Sequence, residues 1–228
     1  MKFLQEDNFL ASFLSHFVDL VLINIMWFIC CIPIITIGAS TTAMYDQCLK
    51  LAYREEPSVI SGFFKSFFKN LKRGTGLFSI VFLAGAFLAA DFWCAARMPF
   101  PFKFIMQVMI LSVGYFYLCV TSHVFPVLAF FDEPVVKTIR HSFILAMRNG
   151  IYTVFVVILD LIPFFIFFLS QEFFWKYLFL FLTIIFSLIA YLNSLHMSRL
   201  FDPVRFREIE ESLKQKDQDR KKGNERTE

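Results

Sequence analysis

The sequence predicts an all-α fold, an integral membrane helical bundle with five transmembrane helices and two inner interfacial amphipathic helices. Three observations lead there. Apolar residues make up 57% of the chain and aromatic residues 19%, outside the range of soluble domains. Phe alone contributes 33 residues, in runs such as Phe164, Phe165, Phe167 and Phe168, where a soluble helix would need a polar face. Charge, in turn, is concentrated between long apolar stretches instead of being spread along the chain, whose mean hydropathy is +0.62.

A hydrocarbon core of about 30 Å takes roughly 20 residues of helix to cross. Five stretches qualify. Residues 17–38 hold one charge, Asp19; residues 74–96 hold Asp91; residues 104–131 hold none; residues 149–170 hold Asp160; and residues 177–198 hold none. A spanning helix is the economical reading of each, because it satisfies every backbone polar group internally. The first stretch is longer than a signal peptide's apolar region and follows Glu6 and Asp7 instead of a basic cluster, so it is expected to stay in the mature protein.

Five spans put the termini on opposite sides, and the positive excess sets the orientation. Lys50, Arg54, Lys65, Lys69, Lys72 and Arg73 lie between spans one and two, Lys137, Arg140 and Arg148 between spans three and four, and nine more from Arg199 onward. That places 18 of the 22 Lys and Arg residues on one face. The N-terminus is therefore expected outside and the C-terminus in the cytoplasm. Residues 1–200 form the membrane domain, and residues 201–228 a charged cytoplasmic tail, partly disordered because it has little to bury. Trp93, Trp175 and Tyr177 would anchor the outer interface. The near balance of acids and bases in the tail argues against nucleic acid as a partner.

The two longer inner segments are alike. In residues 58–73, Val59, Ile60, Phe63, Phe64, Phe67, Phe68 and Leu71 recur at helical spacing, with Lys65, Lys69 and Lys72 opposite. In residues 132–148, Asp132 and Pro134 suit a helix start, and Val135, Val136, Ile139, Phe143, Ile144 and Met147 form a stripe flanked by Lys137 and Arg140. Both read as interfacial helices whose cations, with Arg73 and Arg148, contact the anionic inner leaflet of the bilayer. A constant offset of 76 pairs Ser66 with Ser142, Lys72 with Arg148 and Gly74 with Gly150, which raises an internal duplication beside the plainer reading of shared composition.

Residues 27–45 read W-F-I-C-C-I-P-I-I-T-I-G-A-S-T-T-A-M-Y, which resembles the YesL family of bacterial membrane proteins. Residues 63–69 (F-F-K-S-F-F-K) and 123–131 (H-V-F-P-V-L-A-F-F) are similar to that family in type and order. With the spans between them they cover most of residues 17–200. The resemblance implies a multi-pass protein of the bacterial cell membrane with unassigned activity, often encoded near carbohydrate uptake or degradation systems. It carries over no catalytic residue. Read without any family, Pro33 ends the first span, Gly38 permits a turn, and Thr36, Ser40, Thr41 and Thr42 cap freed backbone groups or the next helix. A ligand or partner contact at this turn is the other reading.

Ionisable groups inside a membrane are default candidates for function. Asp160 lies nine residues into its span, roughly 13 Å deep, with Pro163 one turn on. Together with Asp91, Asp19 and Asn24 it could form an intramembrane polar site for a cation or proton. The competing reading makes Asp160 interhelical glue, bonded to Asn24, Asn193 or a Ser/Thr on a neighbouring helix. His123 and His196 read as interfacial histidines, and the five cysteines as small packing residues. The spacings suggest no cofactor, metal set or catalytic motif, so an enzyme is not expected. Two functions follow. The first is a non-enzymatic accessory or regulatory component docking on another membrane complex, with a sugar importer suggested by the family. The second is a small solute or ion transporter or channel working at Asp160, as a homo-oligomer because five spans enclose little volume.

Overall fold

A computed structural model describes residues 2–53, 55, 58–169, 172, 176 and 181–201. The charged tail from residue 202 onwards, Trp175 and Tyr177 lie outside the described residues. Among the described residues the chain is all-α. Its elements are α1 (Lys2–Cys31), a 3-10 turn (Ile34–Thr36), α2 (Ile37–Ala52), α3 (Val59–Ala95), α4 (Phe102–Phe131), α5 (Val135–Arg148), α6 (Gly150–Leu169), a π-helical turn (Phe181–Ile185) and α7 (Phe186–Phe201).

Four helical stretches are long and apolar enough to cross a membrane: Leu14–Cys31, Val59–Ala95, Phe102–Phe131 and Thr183–Phe201. A fifth is added if Val135–Arg148 and Gly150–Pro163, which meet at a bend of 110°, count as one. Their large side chains face outward in rows, with Ile80, Leu83 and Phe87 on α3 and Phe104, Ile105 and Val108 on α4 all exposed. Hydrocarbon is the solvent that suits such rows.

Pro33 does end the first span, since it supplies no N–H and restrains the residue before it. Thr36 and Ser40 cap carbonyls of the broken end as expected, whereas Thr41 accepts from a side chain and Thr42 bonds Gly38 O within α2. The Thr36 hydroxyl donates to Cys30 O at 2.7 Å, Ser40 Oγ donates to Trp27 O at 2.9 Å, and Trp27 Nε1 donates to Thr41 Oγ1 at 3.1 Å. These bonds fold α2 back on α1 as a hairpin.

Gly38 is not the turn. It sits in the first turn of α2, nearly enclosed by α1, α3, α4 and α7. A Cβ added at Gly38 would lie 2.1 Å from Gly74 O, and one at Gly74 would lie 2.7 Å from Ala39 N. Main chain touches main chain here, which only the small run Gly38, Ala39, Ser40 permits. The principal core cluster is built on the same helix, joining Ala43, Met44 and Cys48 to Leu20, Ile23, Phe63 and Ala190.

The expected break before Gly74 is also absent. α3 runs unbroken for 37 residues, about 55 Å, because a main-chain hydrogen-bond ladder is indifferent to a switch from basic to apolar side chains. Its first half packs on α2 and its second half on α4. The apolar stripe of residues 58–73 is thereby divided. Val59, Phe63 and Phe67 are buried against α2, whereas Ile60, Phe64 and Phe68 remain exposed. The second amphipathic segment is a separate helix, α5, but it buries Thr138, Ser142 and Ala146 and leaves Val136, Phe143, Ile144 and Met147 outside. The offset of 76 carries Val59, the start of α3, onto Val135, the start of α5. The two lengths then diverge, since Gly74 lies within a continuous helix and Gly150 follows the bend.

Candidate functional site

The interior of the bundle carries a polar cluster drawn from four helices. α6 supplies Asp160 and Tyr152, α4 supplies Ser122 and His123, α2 supplies Tyr45, and α7 supplies Asn193 and His196. Asp160 and Ser122 lie within electrostatic reach of one another. Tyr152 donates its phenol to Asn193 Oδ1 at 2.9 Å, and Asn193 Nδ2 donates to Tyr45 Oη at 3.3 Å. The Tyr152 and His196 rings stack with centroids 3.4 Å apart and 16° between planes. Both tyrosines lie within electrostatic reach of Asp160, and His123 within that of His196.

His123 is fully buried within the bundle. Its Nδ1 lies 2.9 Å from Cys119 O, and because a carbonyl only accepts, Nδ1 carries the proton and Nε2 the lone pair. Nε2 meets no donor among the described residues. Two helix-interior prolines adjoin the cluster, Pro126 in α4 and Pro163 in α6. Each removes the N–H that would bond the carbonyl four residues earlier, at Ser122 and Leu159.

The other three candidate polar residues go elsewhere. Asn24 is buried, and its Oδ1 accepts from the Ser187 N–H at 2.8 Å, which fixes α1 to α7. Asp19 is half-buried on α1 beside His16. Asp91 is half-buried near the far end of α3. A groove of about 490 Å³ opens between α3, α4 and α6, lined by Gly85, Phe92, Leu111, Tyr115 and Leu161 among others, a set that contains neither Asp160 nor Asp91.

All seven cations expected at the inner leaflet are exposed, and two of them are held in ion pairs. Lys69 Nζ pairs with Asp132 Oδ2 at 2.8 Å, and Arg73 Nη1 pairs with Asp132 Oδ1 and donates to Asp132 O at 2.8 Å. Asp132 caps α4 in the left-handed region at φ 51°, with its N–H returning to Leu128 O. Lys69 first, and Arg73 with it, hold the Asp132 carboxyl below the usual carboxylate range. Lys65, Lys72, Lys137, Arg140 and Arg148 are exposed.

The family described as "Protein of unknown function, DUF624" matches residues 20–92, from α1 through α2 to near the end of α3. The "Uncharacterized protein YesL" of Bacillus subtilis (strain 168) is 28% identical over 151 residues, covering 63% of this chain and 71% of that protein. No solved structure matches the chain. The family match and the relative agree, and together they support a YesL-like protein of the DUF624 family.

Proposed function

We propose that this protein is a non-enzymatic accessory or regulatory component of the bacterial cell membrane. It has five spans, with the α5 and α6 pair carrying the fourth, its N-terminus outside and its C-terminus in the cytoplasm. Its inner basic surface seats on anionic headgroups and presents that face to a second membrane complex. A carbohydrate importer is the partner that the family resemblance suggests.

One observation carries the reading. On both inner segments, exposed apolar side chains alternate with cations: Ile60, Phe64 and Phe68 with Lys65 and Lys72, and Val136, Phe143, Ile144 and Met147 with Lys137, Arg140 and Arg148. The Asp132 clasp ties the two segments together. Water disfavours such a face, whereas the border between acyl chains and anionic headgroups matches both of its components. Each cation there contributes about 1 kcal/mol of attraction, a roughly fivefold effect on partition.

Affinity purification in mild detergent tests the accessory role, with the wild type compared against a variant carrying glutamine at Lys65, Lys72, Lys137, Arg140 and Arg148. Importer subunits recovered with the wild type and lost with the variant support it. Solute flux in liposomes without any copurifying subunit would reverse the ranking in favour of a transporter. The groove gives that second reading no support, since it is apolar and does not reach Asp160.

A further inference from the structure

The apolar groove between α3, α4 and α6 is separate from the inner docking face, and the row of side chains that lines it leads to a charge. Gly85 and Phe92 from α3, Ile110 and Gly114 from α4, and Val154 and Leu161 from α6 enclose about 490 Å³, within the range of about 300–1,000 Å³ that holds small ligands. Two glycines give it room. A Cβ at Gly85 would lie 2.7 Å from the Tyr117 hydroxyl oxygen, which donates to Val81 O at 2.9 Å, and one at Gly114 would meet nothing within 4 Å. On α4 the lining row runs from Leu118 through Gly114 and Ile110 to half-buried Gln107 and exposed Lys103, in steps that keep to one helical face. Lys103 stands about 10 Å beyond Ile110, at the end of α4 opposite the Asp132 clasp.

Arg97, in the same connection, is engaged by Trp93, with its guanidinium carbon 3.9 Å from the ring centroid, whereas Lys103 has no carboxylate partner among the described residues. Asp91 is off the lining row, about 100° around α3 from Phe92. An apolar trough with a free cation at one end matches an amphiphile of opposite charge. We propose that this groove holds one acyl chain of an anionic phospholipid, whose phosphate accepts from the Lys103 ammonium and the Gln107 amide. The chain lies against apolar side chains, and the headgroup meets the cation where α4 begins. A second copy of the protein fits less well. Two-fold symmetry would set groove against groove and Lys103 level with Lys103, which fills neither groove and opposes like charges. Such a lipid site requires a chain that spans a bilayer, and it is independent of the inner docking face.

Photolabelling tests this on the full chain in phosphatidylcholine vesicles that carry a small fraction of phosphatidylglycerol with a diazirine in one acyl chain. Attachment sites are read by peptide mass spectrometry. Label should concentrate on groove residues such as Phe92, Ile110 and Leu161, and not on Leu83 and Phe87, which are exposed on the far side of α3. Gly114→Leu fills the groove and should abolish that labelling, whereas Gly76→Leu, whose Cβ is equally open, should leave it unchanged. Lys103→Gln, or a choline headgroup on the diazirine lipid, should lower it about fivefold. Glutamine at the five inner cations should not alter it, so failure of the docking role is told apart from failure here. Label spread evenly over groove and far side, equal labelling by the two headgroups, or persistence in Gly114→Leu overturns the proposal. So does crosslinking of one chain to another through a photoreactive residue placed at Leu111, which would assign the groove to a second copy.

Discussion

Replacing Gly38 or Gly74 with alanine should separate two helices that now touch along their main chains. The added methyl at Gly38 meets Gly74 O at 2.1 Å and Phe78 Cβ at 2.6 Å, and the one at Gly74 meets Ala39 Cα and N at 2.7 Å. These are backbone positions, so no rotamer change relieves them. Overpacking of this kind costs about 1–3 kcal/mol, and backbone obstruction places both variants at the upper end. Alanine returns about 1 kcal/mol of helix propensity, leaving a net loss of about 2 kcal/mol. Gly76→Ala is the control, because its methyl meets nothing within 4 Å, and it should be neutral or slightly stabilising. Gly85→Ala lies between them. Its methyl meets the Tyr117 phenol oxygen at 2.7 Å, which can swing away at the expense of its bond to Val81 O. Unfolding of the detergent-solubilised protein by increasing denaturing detergent, followed by circular dichroism, ranks the four. The double Gly38→Ala, Gly74→Ala variant should lose less than the sum of its parts, since the first methyl already parts the helices. If Gly38→Ala and Gly74→Ala unfold alongside Gly76→Ala, the close approach of α2 to α3 is refuted.

Three further outcomes bear on the same architecture. Phe63→Ala, at a side chain with no exposure, should lose about 3–5 kcal/mol, while Phe68→Ala, 68% exposed, should lose far less in the same unfolding assay; equal losses would return residues 58–73 to a lipid-facing helix. Spin labels at Ile60 and Phe92, both exposed, should lie about 48 Å apart along a continuous α3, and a markedly shorter distance in pulsed electron resonance would restore the break at Gly74. The Asp132 carboxyl is held below its ordinary value when folded, so its contribution is complete above about pH 4 and fades as pH falls through the lowered value. Stability of the wild type should drop across that acidic window more steeply than that of Asp132→Asn, whose amide does not titrate and still tolerates the left-handed cap.

Hydropathy made the apolar stretches legible because a lipid-facing row leaves its mark on every residue of a span. α2 left no such mark. Its Gly-Ala-Ser-Thr-Thr-Ala run resembles a turn with caps, and only the backbone contact with Gly74 explains why small residues were needed. The change from Lys72 and Arg73 to apolar residues marked a change of surroundings, and the reading took it for a change of direction. A real change of direction occurs at Asn149, whose N–H and side-chain amide both return to Leu145 O before Gly150 starts α6. At the polar cluster, Asp160 stood out because a lone acid in a span is conspicuous. Ser122, Tyr45 and Tyr152 did not, since each is ordinary in its own helix, and no spacing along one strand of sequence reveals a meeting of four helices. Asn193 reads from the sequence as a bonding partner for Asp160, and in the structure it bonds Tyr152 and Tyr45.

The length of α3 has a mechanical consequence. The Gly38 and Gly74 contact sits part-way along a stiff rod, with fifteen residues on the cationic side and twenty-one on the other. Such a contact can serve as a fulcrum. Pivoting by about 10° there would carry the two ends roughly 4 Å and 5.5 Å in opposite directions. A force applied to the positively charged arm at one surface would thus be felt, amplified, among the phenylalanines at the opposite end.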